Sequence, residues 1–123
     1  MKVVLSIKPE FAFKIFEGTK KFEFRKAIFK NSNVKSVIVY ASSPVQKVIG
    51  EFEIGEILND DLDTLWNRTK KYSGITEDFF YEYFSEKETG FAIRVKKKKK
   101  YKVAKCLWSD YKLNPPQSFA YLK

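Results

Sequence analysis

Histidine is absent from this chain and cysteine nearly so: Cys106 is the single one among 123 residues. Without histidine, no Ser-His-Asp or Cys-His catalytic set can be assembled, and no histidine-ligated zinc or iron site can be built. One cysteine cannot close an internal disulfide, so a reducing compartment, the cytoplasm, is the expected home. No apolar run approaches membrane-spanning length, and Val3 to Ile7 reads as a strand rather than the core of a signal peptide. Glycine-rich phosphate loops and metal-ligand spacings are missing as well. The expectation is a soluble protein with no metal, no cofactor and no membrane partner. The sequence does not specify an oligomeric state.

What the chain has in excess is positive charge and aromatic rings. Lysine and arginine number 24 against 15 acidic residues, a net charge of +9, and there are 12 Phe and 7 Tyr. That balance favours a polyanionic partner, nucleic acid ahead of an acidic membrane surface. The length corresponds to one domain, residues 1–123, with a single sizeable core.

The organising stretch is Gly18-Thr-Lys20-Lys21-Phe22-Glu23-Phe24-Arg25-Lys26. From Lys21 on it alternates with strand period, placing Phe22 and Phe24 on one face and Lys21, Glu23 and Arg25 on the other. Before it, Pro9 suits a first helical turn, Phe11 and Ile15 give an apolar stripe, and Gly18 suits a left-handed C-cap. After it, Val34 to Ala41 reads as a central strand and Val45 to Leu58 as a long one, with Gly50 and Gly55 as bend points. Helices are expected near 9–17, 60–71 and 76–85. Strands at 91–95 and 101–107 flank the run Lys96 to Lys100. Strands of this number suggest a small mixed barrel decorated by helices.

Three features could carry chemistry: the Lys20 to Arg25 cluster, the turn from Tyr40 to Pro44, and the run Lys96 to Lys100. The cations around Glu23 should lower its pKa, which suits a fixed acceptor for a base amino group better than a general base. Like charge on Lys21 and Arg25 should lower the pKa of Lys20, which could serve as base or nucleophile if it were also desolvated. Tyr40-Ala-Ser42-Ser43-Pro44 could hold a phosphate or base edge, or be an ordinary strand-ending turn. Lys96 to Lys100 could grip a phosphate backbone, or be a solvated hairpin end.

Taken together, Leu5-Ser6-Ile7-Lys8-Pro9, Gly18-Thr-Lys20-Lys-Phe-Glu23-Phe-Arg25, Tyr40-Ala-Ser-Ser-Pro44 and Gly50-Glu-Phe resemble the ASCH domain, a branch of the PUA-like superfamily, over essentially the whole chain. The segment Gly-x-Lys-x-x-Glu-x-Arg is the most specific part. The resemblance implies an α+β fold, a mainly antiparallel PUA-like β-barrel with peripheral helices, and a cleft beside the first helix for RNA or a modified nucleobase. It implies that Lys20, Glu23 and Arg25 line that cleft. With the residue reading, Lys20, Lys21, Arg25 and Lys26 are assigned to phosphates and Glu23 to a base, while Ser6, Lys8, Tyr40, Ser42 and Ser43 supply the surroundings. The expected function is a regulatory binder of RNA or a modified nucleotide. The alternative is a small enzyme using Lys20 and Glu23, either an amidohydrolase of N4-acylated cytidine or a ribonuclease. In the amidohydrolase branch a threonine stands where this chain has Glu23, acting with the cleft lysine and a later glutamate. A protein-interaction module is the third class.

Overall fold

The structure, a computed structural model, describes residues 1–122. Its elements are β1 (Lys2–Ile7), α1 (Pro9–Glu17), β2 (Phe22–Arg25), β3 (Ser36–Ala41), β4 (Lys47–Asp61), α2 (Leu62–Thr69), a 3₁₀ turn (Lys70–Tyr72), α3 (Glu77–Tyr83), β5 (Thr89–Lys105), α4 (Leu107–Tyr111) and β6 (Phe119–Leu122). The strands form one six-stranded sheet in the order β2-β5-β4-β3-β1-β6. Among the described residues β1 and β3 run parallel, and the other pairings are antiparallel.

Both faces of the sheet are covered, which is why Val3, Val4 and Leu5 are all buried although successive side chains point to opposite faces. Val3, Leu5 and Ile7 join Val37, Val39 and Phe52 under Ala12 and Ile15 of α1. Val4, Ile38, Tyr40 and Val48 meet Leu107 of α4 on the opposite face. A second apolar cluster, Phe24, Leu58, Leu65, Phe80 and Phe84, seats α2 and α3 beside β2. Phe80 is its hub, with ring centroids 4.9 Å from Phe84 and 5.3 Å from Phe24.

The helix ends follow local chemistry. Gly18 caps α1 at φ 95°, its N–H donating to the Lys14 and Ile15 carbonyls. Asp61 accepts from Thr64 N–H at the start of α2, and Thr76 accepts from Phe79 N–H at the start of α3. In β4 the register shifts between Val48 and Gly50 and between Ile54 and Ile57, where the two glycines are expected to bend the strand.

Three expectations are corrected. Among the described residues the pairing leaves β2 and β6 as free edges, so the sheet is not closed into the expected barrel. Arg25 crosses the open seam with side-chain bonds instead: Nη2 donates to the Ser118 carbonyl at 3.0 Å and to its Oγ at 2.9 Å, and Nη1 to the Ser6 carbonyl at 3.4 Å. Lys96 to Lys100 is not a hairpin end. It lies in mid-strand within β5, which runs unbroken from Thr89 to Lys105 because β4 is long enough to pair along it. Finally, residues 107–111 form a short helix, and the tail adds β6 beside β1.

Candidate functional site

A cavity of about 250 Å³ opens at the seam that Arg25 crosses. Ser6 and Ile7 of β1, Lys8 and Phe11 of the start of α1, and Glu23, Phe24 and Arg25 of β2 line one side. Lys20, Ile75, Gln117 and the α3 rings Phe79 and Tyr83 complete it. The strand alternation of β2 accounts for part of this: Phe24 packs against Phe80 while Glu23 and Arg25 bracket it in sequence. Phe11 and Phe79 meet edge to face at 5.2 Å, and Tyr83 lies nearly parallel to Phe79 at 6.5 Å. These half-buried rings make an aromatic wall.

Lys20 is sealed from solvent, at 2% exposure. Its Nζ donates to the Ser73 carbonyl at 2.8 Å and lies 4.7 Å from the centre of the Phe24 ring and 5.4 Å from that of Phe11. The turn at Ser73-Gly74 is shaped for it. Gly74 has φ 70°, and a β-carbon there would fall 2.6 Å from Cβ of Lys20, so both backbone and space require glycine. Burial depresses the Lys20 pKa to about 8; Glu23 opposes the shift and Lys14 adds to it. The direction agrees with the sequence expectation, but desolvation is the main cause rather than Lys21 or Arg25.

Glu23 corrects the sequence expectation outright. Burial pushes its carboxyl up, and the attraction of Lys20 and Arg25 only partly offsets this. Its Oε2 pairs with Arg25 Nη1 at 3.3 Å. The flanking residues are cationic in the sequence, but desolvation outweighs them once β2 is packed under α3.

Of the residues singled out from the sequence, Ser6, Lys8, Lys20, Glu23 and Arg25 come together in this cavity. Lys26 stands near it, with Nζ 5.0 Å from the centre of the Tyr83 ring, and Lys8 reaches to 5.9 Å from that of Phe79. Lys21 faces a neighbouring cavity with Arg94, Lys96 and Lys98; Lys20 lines both. Tyr40, Ser42 and Ser43 are not brought into the cavity. Tyr40 is buried in the cluster under α4, and the Ser42 N–H is taken by the Ile7 carbonyl.

Sequence reasoning missed Phe11, Ile75, Phe79, Tyr83 and Gln117 as lining residues. Phe79 and Tyr83 are four apart and so share a face of α3, yet that spacing equally describes a helix packed into the core. Gln117 carried no signal. Among the described residues Glu23 is the one carboxylate that lines the cavity; Glu77 is held by the indole N–H of Trp66 at 3.1 Å. No described helix is long and apolar enough to cross a membrane.

The model of the ASCH domain family matches residues 5–106. Among curated proteins, the chain is 36% identical over 95 residues to the ASCH domain-containing ribonuclease of Zymomonas mobilis, covering 76% of this chain and 64% of that protein. It is 35% identical over 122 residues to ATP synthase subunit alpha of Ureaplasma parvum, covering 98% of this chain and 15% of that protein. Against large ribosomal subunit protein uL22 of Ureaplasma parvum it is 30% identical over 122 residues, 98% of this chain and 39% of that protein. The chain thus spans less than two thirds of each of these relatives. The crystal structure of ASCH from Zymomonas mobilis superimposes with a TM-score of 0.90 at 30% identity, covering 99% of this chain and 87% of that one.

Proposed function

This chain belongs to the ASCH domain family, and from that premise we propose that it binds RNA by taking one base into the cavity between Lys20 and Glu23. The observation that carries the reading is the pairing of an aromatic wall with a buried donor and a buried acceptor in a space for one nucleotide unit. Pockets for drug-sized ligands measure about 300–1,000 Å³, so this smaller cavity suits a base with part of its sugar rather than a longer ligand. Sequence-specific RNA recognition works on unstacked bases that can be laid against aromatic rings and read along their edges. Here Phe11, Phe79 and Tyr83 supply the rings, Glu23 accepts from a base amino group, and Lys20 donates to a ring acceptor. Lys8 and Lys26 at the mouth take the flanking phosphates, while Arg25 stays bound to Glu23, Ser6 and Ser118. The presence of matching segments in longer relatives with unrelated names supports a portable module.

A specific observation favours a second reading, RNA cleavage. Lys20 has a depressed pKa, so part of its population is a neutral amine near neutral pH, the form required of a general base. A relative is named a ribonuclease. Deprotonation of a ribose 2′-hydroxyl would let that oxygen attack the adjacent phosphorus, breaking the bond to the 5′ oxygen, which takes a proton from water. The products are a 2′,3′-cyclic phosphate and a 5′-hydroxyl. Amidohydrolysis of acylated cytidine is less well supported, since among the described residues no second carboxylate lines the cavity.

End-labelled single-stranded RNA incubated with the protein tests both readings. Binding without products supports the binder, and cyclic-phosphate products support cleavage. Absence of binding at low salt removes both.

A further inference from the structure

The pairing of β4 with β5 sorts the lysine run into two faces of different character. Lys97 stands opposite Glu53 and Lys99 opposite Glu51, so each of these lysines has a carboxylate as cross-strand neighbour. Lys98 stands opposite Phe52 and Lys100 opposite Gly50, which carry no charge. Phe52 packs into the core beneath α1, and the ring of Phe16 lies against Gly50, so Lys98 and Lys100 share the α1 side of the sheet. Among the described residues none of these four lysines has a carboxylate within 4.0 Å, and Glu53 and Glu51 pair with Lys96 at 3.5 Å and Lys2 at 3.2 Å, so the two faces differ in their cross-strand neighbours.

Their surroundings lead toward the base cavity. Lys98 reaches the C-terminal end of α1, where its Nζ would lie 3.5 Å from a β-carbon at Gly18. It lines the second cavity with Lys21, and Lys20 forms the wall between that cavity and the first. Lys100 lies 5.9 Å from the centre of the Phe13 ring, which is 38% exposed on α1. Alternate residues of a strand advance by about 6.6–6.8 Å, close to the step of one nucleotide in an extended single strand. A positive row with an exposed aromatic beside it is the arrangement that holds single-stranded nucleic acid.

We propose that Lys98 and Lys100, with Lys21, form a phosphate track that carries a single RNA strand from the base cavity past the C-terminal end of α1. The proposal rests on RNA being the ligand of that cavity. It divides the lysine run in two: alternate lysines bind, while Lys97 and Lys99 lie across from Glu53 and Glu51, whose ion pairs are made with Lys96 and Lys2.

Two double variants with the same change in charge separate the faces: Lys98→Gln with Lys100→Gln, and Lys97→Gln with Lys99→Gln. The probe is a fluorescein-labelled 12-nucleotide single-stranded RNA of mixed sequence, titrated by anisotropy at several salt concentrations, with cytidine monophosphate as the short ligand. The first variant is expected to weaken RNA binding and to flatten the slope of log K against log salt by about 1.4, roughly 0.7 for each phosphate no longer neutralised. It should leave the affinity for cytidine monophosphate unchanged. The second variant should leave the RNA slope unchanged. Equal weakening by the two variants, or none by the first, overturns the track while base capture stands. If the unaltered protein fails to bind the RNA at low salt, track and base capture fall together.

Discussion

Lys20 and Glu23 face one cavity without pairing with each other: Lys20 donates to the Ser73 carbonyl at 2.8 Å, and Glu23 pairs with Arg25 at 3.3 Å. Each is anchored on the protein side and keeps further hydrogen-bonding capacity for a ligand. A buried acceptor beside a buried donor matches a base edge that presents an amino group next to a ring acceptor, as cytosine and adenine do, and mismatches uracil. Cytidine and adenosine monophosphates should therefore bind more tightly than uridine monophosphate by about 1–3 kcal/mol. Glu23→Gln, which can turn a donor toward the base, should narrow that difference. Calorimetric titration of the nucleotide panel against both proteins checks this.

The buried lysine gives stability a defined dependence on pH. Lys20 loses its proton near 8 in the folded chain and at its ordinary 10.5 once unfolded. Between those values the unfolded state holds more protons, so stability rises with pH across the window and is level, at its lower value, below it. Glu23 has the opposite sign: its carboxyl is raised, so the stability it lends is present below 4.5 and is lost as pH climbs through the folded value. Replacing Lys20 by Met removes the charge from the interior and should raise stability at pH 7 by about 1–2 kcal/mol while abolishing ligand binding. Urea denaturation at pH 7 and 9.5 should show the gain and the disappearance of the alkaline rise.

Arg25 links β2 to Ser6 and Ser118 across the open seam and also balances Glu23. Truncation to Ala removes the cation that offsets the burial of the Glu23 carboxyl together with the bonds across the seam, and should destabilise by about 3 kcal/mol at pH 7. The loss should shrink as pH falls, because Arg25 favours the ionised carboxyl and acid favours the neutral one. A mainly steric role would give the same loss at both pH values, and denaturation at pH 4.5 and 7 separates the two.

Gly74→Ala tests the turn that holds Lys20. A left-handed conformation costs a non-glycine residue about 1–2 kcal/mol, and the added methyl meets the lysine stem. The variant should lose at least that much stability and weaken nucleotide binding, since Nζ can no longer hold its place against Ser73. Unchanged binding would mean that the position of Lys20 does not matter.

Much of the fold was legible because local signals and tertiary packing agree. Gly18 as a left-handed cap, the helix at Pro9–Glu17 and the strand at Phe22–Arg25 rest on spacing and backbone preference alone. The site was legible where one segment supplies it, in Lys20, Glu23 and Arg25. It was not legible where distant segments meet: Phe79 and Tyr83 come from α3 and Gln117 from the tail, and nothing in their own neighbourhoods says that they face a cavity. The electrostatics failed for the same reason. Charge neighbours of Glu23 are visible in the sequence, but the burial that outweighs them is created by α3 packing over β2. Likewise, five consecutive lysines look alike until the register sets Glu51 and Glu53 against two of them.

Base capture between Lys20 and Glu23 is tested most directly by a ¹H–¹⁵N NMR titration of the unaltered protein with cytidine monophosphate at low salt. Base capture predicts saturable shifts concentrated at Phe11, Lys20, Glu23, Phe79 and Tyr83, with Ser42, Ser43, Lys97 and Lys99 unmoved. Shifts confined to the exposed lysines, or none at millimolar nucleotide, would contradict it.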